Sequence, residues 1–191
     1  MRDALAGHRI ILGLSGGVAC YKLANVASAL AQASVAVDVA MTDAAQRFVA
    51  PLTFQSLTGR PVFDSQWTHV EGDDPQHIRL ARQADAMLVA PCTADMLARL
   101  ANGHTDDPVS LLVSAIDRAA TPVLLAPSMN ATMYQQPATQ RNLAQLTADG
   151  FIIVDPGEGW QACRSDGVGR LAEPEELLSA VCLALSAQTA R

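Results

Sequence analysis

Short hydrophobic runs alternate with longer amphipathic segments along the whole chain. The runs are rich in Ile, Val, Leu and Ala, as buried strands are, and they predict strands at residues 9–14, 35–41, 84–90, 122–126 and 151–154. The amphipathic segments have helical periodicity and predict helices at residues 16–33, 93–101, 109–119, 137–149 and 173–187. This alternation predicts a parallel sheet with helices on both faces.

The spacing of these elements leaves room for no linker and no internal repeat. We therefore expect residues 1–191 to form a single α/β domain with a Rossmann-like (flavodoxin-like) parallel sheet. Two segments depart from the alternation. Residues 64–76 contain a Gly-Asp-Asp-Pro run, which predicts a loop. Residues 155–170 contain four glycines and one proline, and we expect them to form a flexible lid over a binding site.

The composition argues against several classes of binding partner. Half of the residues are hydrophobic, and the formal net charge is −6, which argues against nucleic-acid and anionic-membrane partners. No apolar stretch approaches the roughly 18 residues of a membrane span, and no secretory signal precedes the first strand. The four cysteines lie far apart without CxxC spacing, so we expect a cytoplasmic protein and no metal site.

Small or polar residues follow the first four predicted strands, at the sheet edge where parallel sheets bind ligands. They are Ser15-Gly16-Gly17, Thr42, Pro91-Cys92-Thr93 and Pro127-Ser128-Met129-Asn130. The first segment opens a helix, whose free N–H groups could hold a phosphate. It lacks the GxGxxG pattern, and Thr42 stands where a dinucleotide site has an acidic residue, which favours FMN over NAD. A plain strand–helix turn is the alternative.

Three further residues are candidates for chemistry. His77 precedes an apolar helix start and could act as an acid or base, although a solvated or capping histidine is the alternative. Asn130 could donate a hydrogen bond to a carboxylate, or cap the next helix, or do both. Cys163 lies in the glycine-rich segment, where Arg164 could lower the pKa of its thiol, and an incidental cysteine is the alternative.

Taken in order, the motifs from about residue 9 to residue 176 resemble those of the homo-oligomeric flavin-containing cysteine decarboxylases. The motifs are SGGVACYK from Ser15, MT from Met41, HI from His77, APCTAD from Ala90, ANG leading to Asp106-Asp107, APSMN from Ala126, and QAC leading to GVGR at Gly167. Within this family the chain looks most similar to the phosphopantothenoylcysteine decarboxylases. The peptidyl-cysteine decarboxylases of lantibiotic and linaridin biosynthesis are near relatives.

The resemblance implies a role for each matching residue. It implies that FMN binds with its phosphate on Ser15, Gly16 and Gly17, and with its ring against Thr42, Thr93, Ala94, Asp95 and Met129. It implies three catalytic residues, His77 as acid and base, Asn130 on the substrate carboxylate and Cys163 as proton donor, and it adds Met133, Ala162 and Arg164 to the substrate contacts. Residues 155–170 would form a flexible substrate clamp. Members bind FMN between the subunits of a homotrimer, often within a dodecamer.

The implied reaction is the oxidative decarboxylation of a cysteine that has a free carboxylate. Oxidation at the Cβ–S unit creates the electron sink that loss of CO2 requires, and FMN accepts the hydride. In coenzyme A biosynthesis the substrate is phosphopantothenoylcysteine, and the enethiol is then reduced to phosphopantetheine. In aminovinyl-cysteine biosynthesis the substrate is the C-terminal cysteine of a ribosomal peptide, and the enethiol is the product.

Both substrates are compatible with this sequence. Cys163 favours phosphopantothenoylcysteine, because the final reduction needs a proton donor on the clamp. The absence of a synthetase domain favours the peptide. So do departures from the family pattern at Ser128, usually alanine, at Arg164, usually glycine, and at Pro108, usually leucine. A non-catalytic regulatory flavoprotein is a third possibility, which the retention of His77, Asn130 and Cys163 disfavours.

Overall fold

The computed structural model describes residues 5–68 and 75–189. Part of the predicted loop at residues 64–76 therefore lies outside the described residues. Six strands form one sheet in the order β3-β2-β1-β4-β5-β6, and all of its neighbouring strands pair in parallel. The strands are β1 (Arg9–Leu14), β2 (Ala36–Met41), β3 (Val62–Phe63), β4 (Ala86–Cys92), β5 (Val123–Pro127) and β6 (Ile152–Ile153). The predicted parallel α/β sheet is confirmed.

Helices cover both faces of the sheet because alternate residues of each central strand are buried on opposite sides. Ile10, Leu12 and Leu14 pack on one side, whereas Ile11 packs on the other. The first face holds α1 (Lys22–Gln32), α3 (Pro51–Thr58) and α9 (Pro174–Thr189). The second face holds α4 (Gln76–Gln83), α5 (Ala94–Ala101), α6 (Pro108–Ala115) and α8 (Pro137–Ala148). Two shorter helices are α2 (Asp43–Gln46) and α7 (Ala131–Gln135). None of the helices in the described ranges is both long and apolar enough to span a bilayer.

Several predicted boundaries were wrong. The helix predicted at residues 109–119 ends at Ala115, because Asp117 forms a turn in which its side chain accepts from the N–H of Ala119 and its carbonyl accepts from that of Thr121. The helix predicted from residue 16 begins with a 3-10 turn, Val18–Tyr21. The sequence did not predict α2, α3 or β3. Pro108 occupies the first turn of α6, a position where proline fits.

The segment 155–170, predicted as a lid without regular structure, contains a β-hairpin. Strands β7 (Gly157–Trp160) and β8 (Asp166–Arg170) pair antiparallel and form a second, two-stranded sheet. The prediction that the run at residues 151–154 is the last strand was therefore wrong. We call residues 155–170 the clamp from here on. Its β8 strand packs against α7, which follows β5.

The sheet order reverses between β1 and β4, which are neighbours although β2 and β3 separate them along the chain. At such a reversal the loops that follow the two strands diverge to opposite faces and leave a crevice, which is where open α/β sheets bind ligands. Ser15-Gly16-Gly17 follows β1, and Thr93 follows β4. The fold therefore places two of the predicted polar strand ends beside each other.

Candidate active site

The ends of β1 and β4 are tied together by the hydroxyl of Ser15, which is buried. Ser15 Oγ donates to Pro91 O at 2.7 Å and accepts from Thr93 N at 3.0 Å. These bonds hold the ends of the two strands together. The role of Ser15 as a phosphate ligand stays a prediction, and the backbone N–H groups of the same loop are further candidate donors.

Gly16 and Gly17 differ in how tightly they are packed. A Cβ built on Gly16 would lie 2.4 Å from Cβ of Ala44 and 3.1 Å from its backbone carbon, whereas a Cβ on Gly17 would meet nothing closer than 3.5 Å. Gly17 precedes the 3-10 turn that leads into α1, and no side chain within the described residues caps that turn. Its first N–H groups therefore have no side-chain acceptor, which suits an anion such as a phosphate.

Replacement of Gly16 with alanine is expected to destabilise the fold by about 1–3 kcal/mol, because the added methyl group overlaps the backbone of α2. Gly17→Ala is the matched control, and its cost should stay below about 1 kcal/mol, the usual cost of alanine at a helix start. Urea denaturation of both variants measures the difference. Equal midpoints would contradict the close approach at Gly16.

Two cavities open along the crevice. The smaller, of about 440 Å³, contains Ser15 and Thr42. The larger, of about 760 Å³, contains the other predicted residues of the crevice and the clamp: Gly17, Ala94, Met129, Asn130, Met133, Ala162 and Cys163. Both are lined by Gly16, Thr93 and Asp95, so they meet at this edge. All predicted site residues except His77 and Arg164 therefore line one cavity or the other.

The larger cavity suits a flat, mostly apolar cofactor that has polar ends. Its volume lies within the roughly 300–1,000 Å³ that is usual for small-molecule sites. Apolar side chains of Val18, Met129, Met133 and Trp160 line it, and the uncapped turn at Gly17 lies at one border. The residues present thus fit FMN. Among residues 5–68 and 75–189, no three His, Cys, Asp or Glu side chains are grouped to hold a metal ion.

The smaller cavity is lined by five carboxylates, which are Asp43, Asp64, Asp95, Asp106 and Asp107. Arg99 offsets part of this charge. Its Nε donates to Asp95 at 2.8 Å, and its Nη1 donates to Asp106 at 2.5 Å. The guanidinium lowers the pKa of the Asp106 carboxyl, chiefly through this hydrogen bond, and the same bonds raise the pKa of Arg99. The guanidinium of Arg99 is therefore held in place by Asp95 and Asp106.

Asn130 caps α7, because its Oδ1 accepts from Met133 N at 2.7 Å. The capping interpretation is confirmed. The structure records no acceptor for Nδ2 within the described residues, and Asn130 lines the larger cavity. The cap fixes the side chain through its oxygen and leaves the amide N–H groups able to donate to a carboxylate. Asn130 can therefore cap α7 and donate a hydrogen bond to a carboxylate at the same time.

The clamp brings Cys163 to the cavity that contains Asn130. Gly169 O accepts from Met129 N at 2.9 Å, so the hairpin docks on the segment that joins β5 to α7. Cys163 is exposed at the turn of the hairpin, and burial raises the pKa of the Cys20 and Cys92 thiols elsewhere. Arg164 has φ of +64°, a left-handed conformation that glycine adopts more easily, and it lines neither cavity.

His77 lies apart from these groups. It is the second residue of α4, half-buried, on a helix that packs against α6 on the second face of the sheet. It lines neither cavity. Within one chain, therefore, the structure brings Asn130 and Cys163 together but leaves His77 outside.

The larger cavity is also lined by three polar residues that the sequence did not predict, which are Lys22, Gln161 and Arg170. Lys22 is buried, and its ammonium donates to both oxygens of Glu173 at 3.1 Å. This bond lowers the pKa of the Glu173 carboxyl, and Arg170 pairs with the same carboxylate at the base of the clamp. The available signal was that Lys22 is the only lysine of the sequence and starts a helix beside the glycine loop.

Comparisons with known proteins point to one family. The model of the family described as Flavoprotein matches residues 2–186. The coenzyme A biosynthesis bifunctional protein CoaBC of Vibrio cholerae is 44% identical over 177 residues, which cover 93% of this chain and 44% of that protein. This chain thus spans less than half the length of that relative.

Two solved structures are similar over nearly their whole length. The FMN-dependent cysteine decarboxylase SpaF has a TM-score of 0.81 and 29% identity, covering 97% of this chain and 99% of that one. A mutant PPC decarboxylase complexed with pantothenoylaminoethenethiol has a TM-score of 0.81 and 30% identity, covering 92% and 97%.

Proposed function

This chain belongs to the Flavoprotein family, and from that membership we propose that it is an FMN-dependent decarboxylase that converts phosphopantothenoylcysteine to phosphopantetheine. The observation that carries the proposal is the cavity that Asn130 and Cys163 share beside Gly17 and Thr93. A carboxylate-binding amide and a thiol thus face one space that also has the features of a flavin site. The family match and the FMN-dependent relatives support the cofactor.

Each residue of the cavity has a task in this reaction. Bound FMN would accept the hydride whose removal turns the Cβ–S unit of the substrate into an electron sink, and it would return that hydride when the enethiol is reduced. Asn130 Nδ2 donates to the substrate carboxylate, which holds the bond to CO2 in one orientation. Met129 and Met133 provide apolar contacts that keep water from the reacting atoms. The thiol of Cys163 supplies the proton that the enethiol needs when it is reduced.

His77 requires a second copy of the chain. It would take the proton of the substrate thiol, a task that an imidazole can perform as a general base. Because it lines neither cavity of its own chain, we propose a homotrimer, or a dodecamer built from trimers, in which His77 of one subunit completes the site of its neighbour. Sites of this kind bind their cofactor between subunits.

Phosphopantothenoylcysteine is the preferred substrate because the clamp carries a thiol at the cavity. An oxidative decarboxylation that ends at the enethiol needs no such proton donor. The 44% identity to a protein of coenzyme A biosynthesis supports the same choice. A C-terminal peptide cysteine is the second candidate, since the cysteine decarboxylase SpaF is as similar in structure as the PPC decarboxylase is. Arg164 stands where the family pattern has glycine, although its φ of +64° suits glycine better, and this departure from the pattern keeps the peptide as a candidate.

The two substrates are distinguished by the purified protein, which should be yellow and contain FMN. Phosphopantetheine as the product supports the first substrate, and a peptide that has lost CO2 and two hydrogens supports the second. A protein without flavin absorbance that takes up no FMN contradicts both. A flavin-loaded protein that turns over neither substrate supports a regulatory flavoprotein instead.

Replacement of Cys163 with serine is expected to stall the first reaction after decarboxylation. A serine hydroxyl is far less acidic than a thiol, so CO2 should still be released while the enethiol accumulates in place of phosphopantetheine. Mass spectrometry of the products measures the ratio. Cys182→Ser, on α9 away from the cavity, is the matched control and should form phosphopantetheine like the unmodified protein. Normal phosphopantetheine formation by Cys163→Ser would exclude the thiol as proton donor.

A further inference from the structure

Gln161 is a buried polar residue in a hairpin turn whose other residues are exposed. It is 7% exposed, whereas Trp160 beside it is 62% exposed. Ala162, Cys163, Arg164 and Ser165 are all exposed. A glutamine loses its hydration when it is buried, so it needs protein partners for both its carbonyl and its amide group.

Both halves of the Gln161 side chain have such partners, on two different segments. Oε1 accepts from Ala131 N at 3.1 Å, which is at the start of α7. Nε2 lies within hydrogen-bond distance of the carbonyls of Gly167 at 3.2 Å and Val168 at 3.3 Å, in β8. The side chain therefore bridges the clamp and the segment that carries Asn130.

The bridge covers a close backbone contact. A Cβ on Gly169 would lie 2.4 Å from Met129 O and 3.3 Å from Nε2 of Gln161, and Gly169 has φ of +130°. Only glycine fits such a position. Met129 N donates to Gly169 O at 2.9 Å. One backbone bond and the bonds of the Gln161 amide thus hold the hairpin against the β5–α7 segment.

The same glutamine also contacts the thiol. Cys163 Sγ lies 3.6 Å from Oε1 of Gln161 and 3.0 Å from Oγ of Ser165. The backbone closes the turn around it, because Gln161 N donates to Ser165 O at 2.9 Å and Arg164 N donates to Gln161 O at 2.9 Å. Gln161, which joins the clamp to α7, therefore also orients the thiol of Cys163.

We propose that Gln161 is a positioning residue that latches the clamp onto the β5–α7 segment and so sets Cys163 against the site of Asn130. Its use in catalysis rests on the proposed function. An amide is required because the latch accepts from Ala131 and donates to Gly167 and Val168. Glutamate could accept but not donate, and its charge would face two carbonyl oxygens. Methionine has a similar length and offers neither strong interaction.

Hydrogen exchange of the flavin-loaded protein tests the latch without any substrate. Gln161→Met is expected to speed exchange about tenfold in peptides that cover residues 129–131 and 157–170, since it removes the side-chain hydrogen bonds that join these two segments. Gln32→Met, at the exposed end of α1, is the matched control and should leave these peptides unchanged. Unchanged protection in Gln161→Met overturns the latch.

The product ratio tests the effect on the thiol. With phosphopantothenoylcysteine, Gln161→Met should raise the ratio of enethiol to phosphopantetheine about tenfold, because decarboxylation needs Cys163 less than the reduction does. A residue that only stabilises the fold would lower both products in proportion, which overturns the positioning role. If neither substrate is turned over by the unmodified protein while Gln161→Met still loosens the hairpin, the proposed function fails and the latch stands. If the unmodified protein turns over its substrate normally, and Gln161→Met changes neither the product ratio nor the protection, the proposed function stands and the latch fails.

Discussion

Replacement of His77 with asparagine is expected to lower CO2 release about 10²–10⁴-fold, the usual contribution of a general acid or base. Asparagine keeps a polar side chain of similar size in the first turn of α4, so the fold should be unchanged. FMN should stay bound, because every residue that is predicted to contact the flavin is unchanged. Flavin absorbance and CO2 release, measured on the same preparation, check the retained FMN and the lost activity. His104→Asn, at an exposed position, is the matched control and should keep full activity.

Mixed oligomers test where His77 acts. If His77 serves the site of a neighbouring subunit, co-expression of His77→Asn with Asn130→Asp should restore part of the activity that each variant lacks alone. Some sites in the mixture then contain an intact histidine from one chain and an intact asparagine from the other. A mixture as inactive as its parents would show that both residues must come from one chain, against the proposed trimeric site.

The second large effect is expected for Asn130→Asp. Aspartate caps a helix as well as asparagine does, so the bond from Met133 N and the stability of α7 should be retained. The donor Nδ2 is lost, and a second carboxylate stands where the substrate carboxylate binds, so the two charges repel each other. Loss of a charged hydrogen bond of about 1.5–3 kcal/mol plus this repulsion predicts a fall in kcat/KM of at least about 100-fold.

Two further variants distinguish the effect of the added negative charge from the effect of the lost amide donor of Asn130. Asn130→Ser retains the cap and removes the amide without adding charge, so its loss of kcat/KM should be smaller than that of Asn130→Asp. Asn142→Asp places the same charge on α8 and should leave kcat/KM unchanged. Thermal unfolding should give similar midpoints for all three. If Asn130→Asp were active at the level of the unmodified protein, Asn130 would be only a helix cap.

Much of the fold could be predicted because hydrophobic periodicity is a local signal. Runs such as residues 9–14 and 122–126 are long enough to be recognised as buried strands, and the structure has strands there. Two of the elements that were missed are very short. Strand β3 has two residues and α2 has four, so neither is long enough to show a repeating pattern. The hairpin of the clamp was missed because its glycines carry no alternation of hydrophobic and polar residues.

Most of the candidate site was also predictable, because strand ends in a parallel sheet converge on one edge whatever the strand order. The roles of individual atoms were not predictable. Ser15 is predicted to be a phosphate ligand, and only the structure shows that its hydroxyl also lies 2.7 Å from Pro91 O, a partner 76 residues away. His77 had the right chemistry, but the packing of α4 against α6 places it outside both cavities.

By itself, the sequence determined the α/β class, the polar strand ends and the chemical types of the site residues, since each depends on neighbours within a few positions. Tertiary structure alone decided that the order reverses between β1 and β4, and that the clamp docks on the segment of Asn130 through Gln161. The physical reason is the separation along the sequence of the residues that interact. The Gln161 bond to Ala131 joins residues 30 positions apart, so it exists only once the sheet has brought β5 and the clamp together.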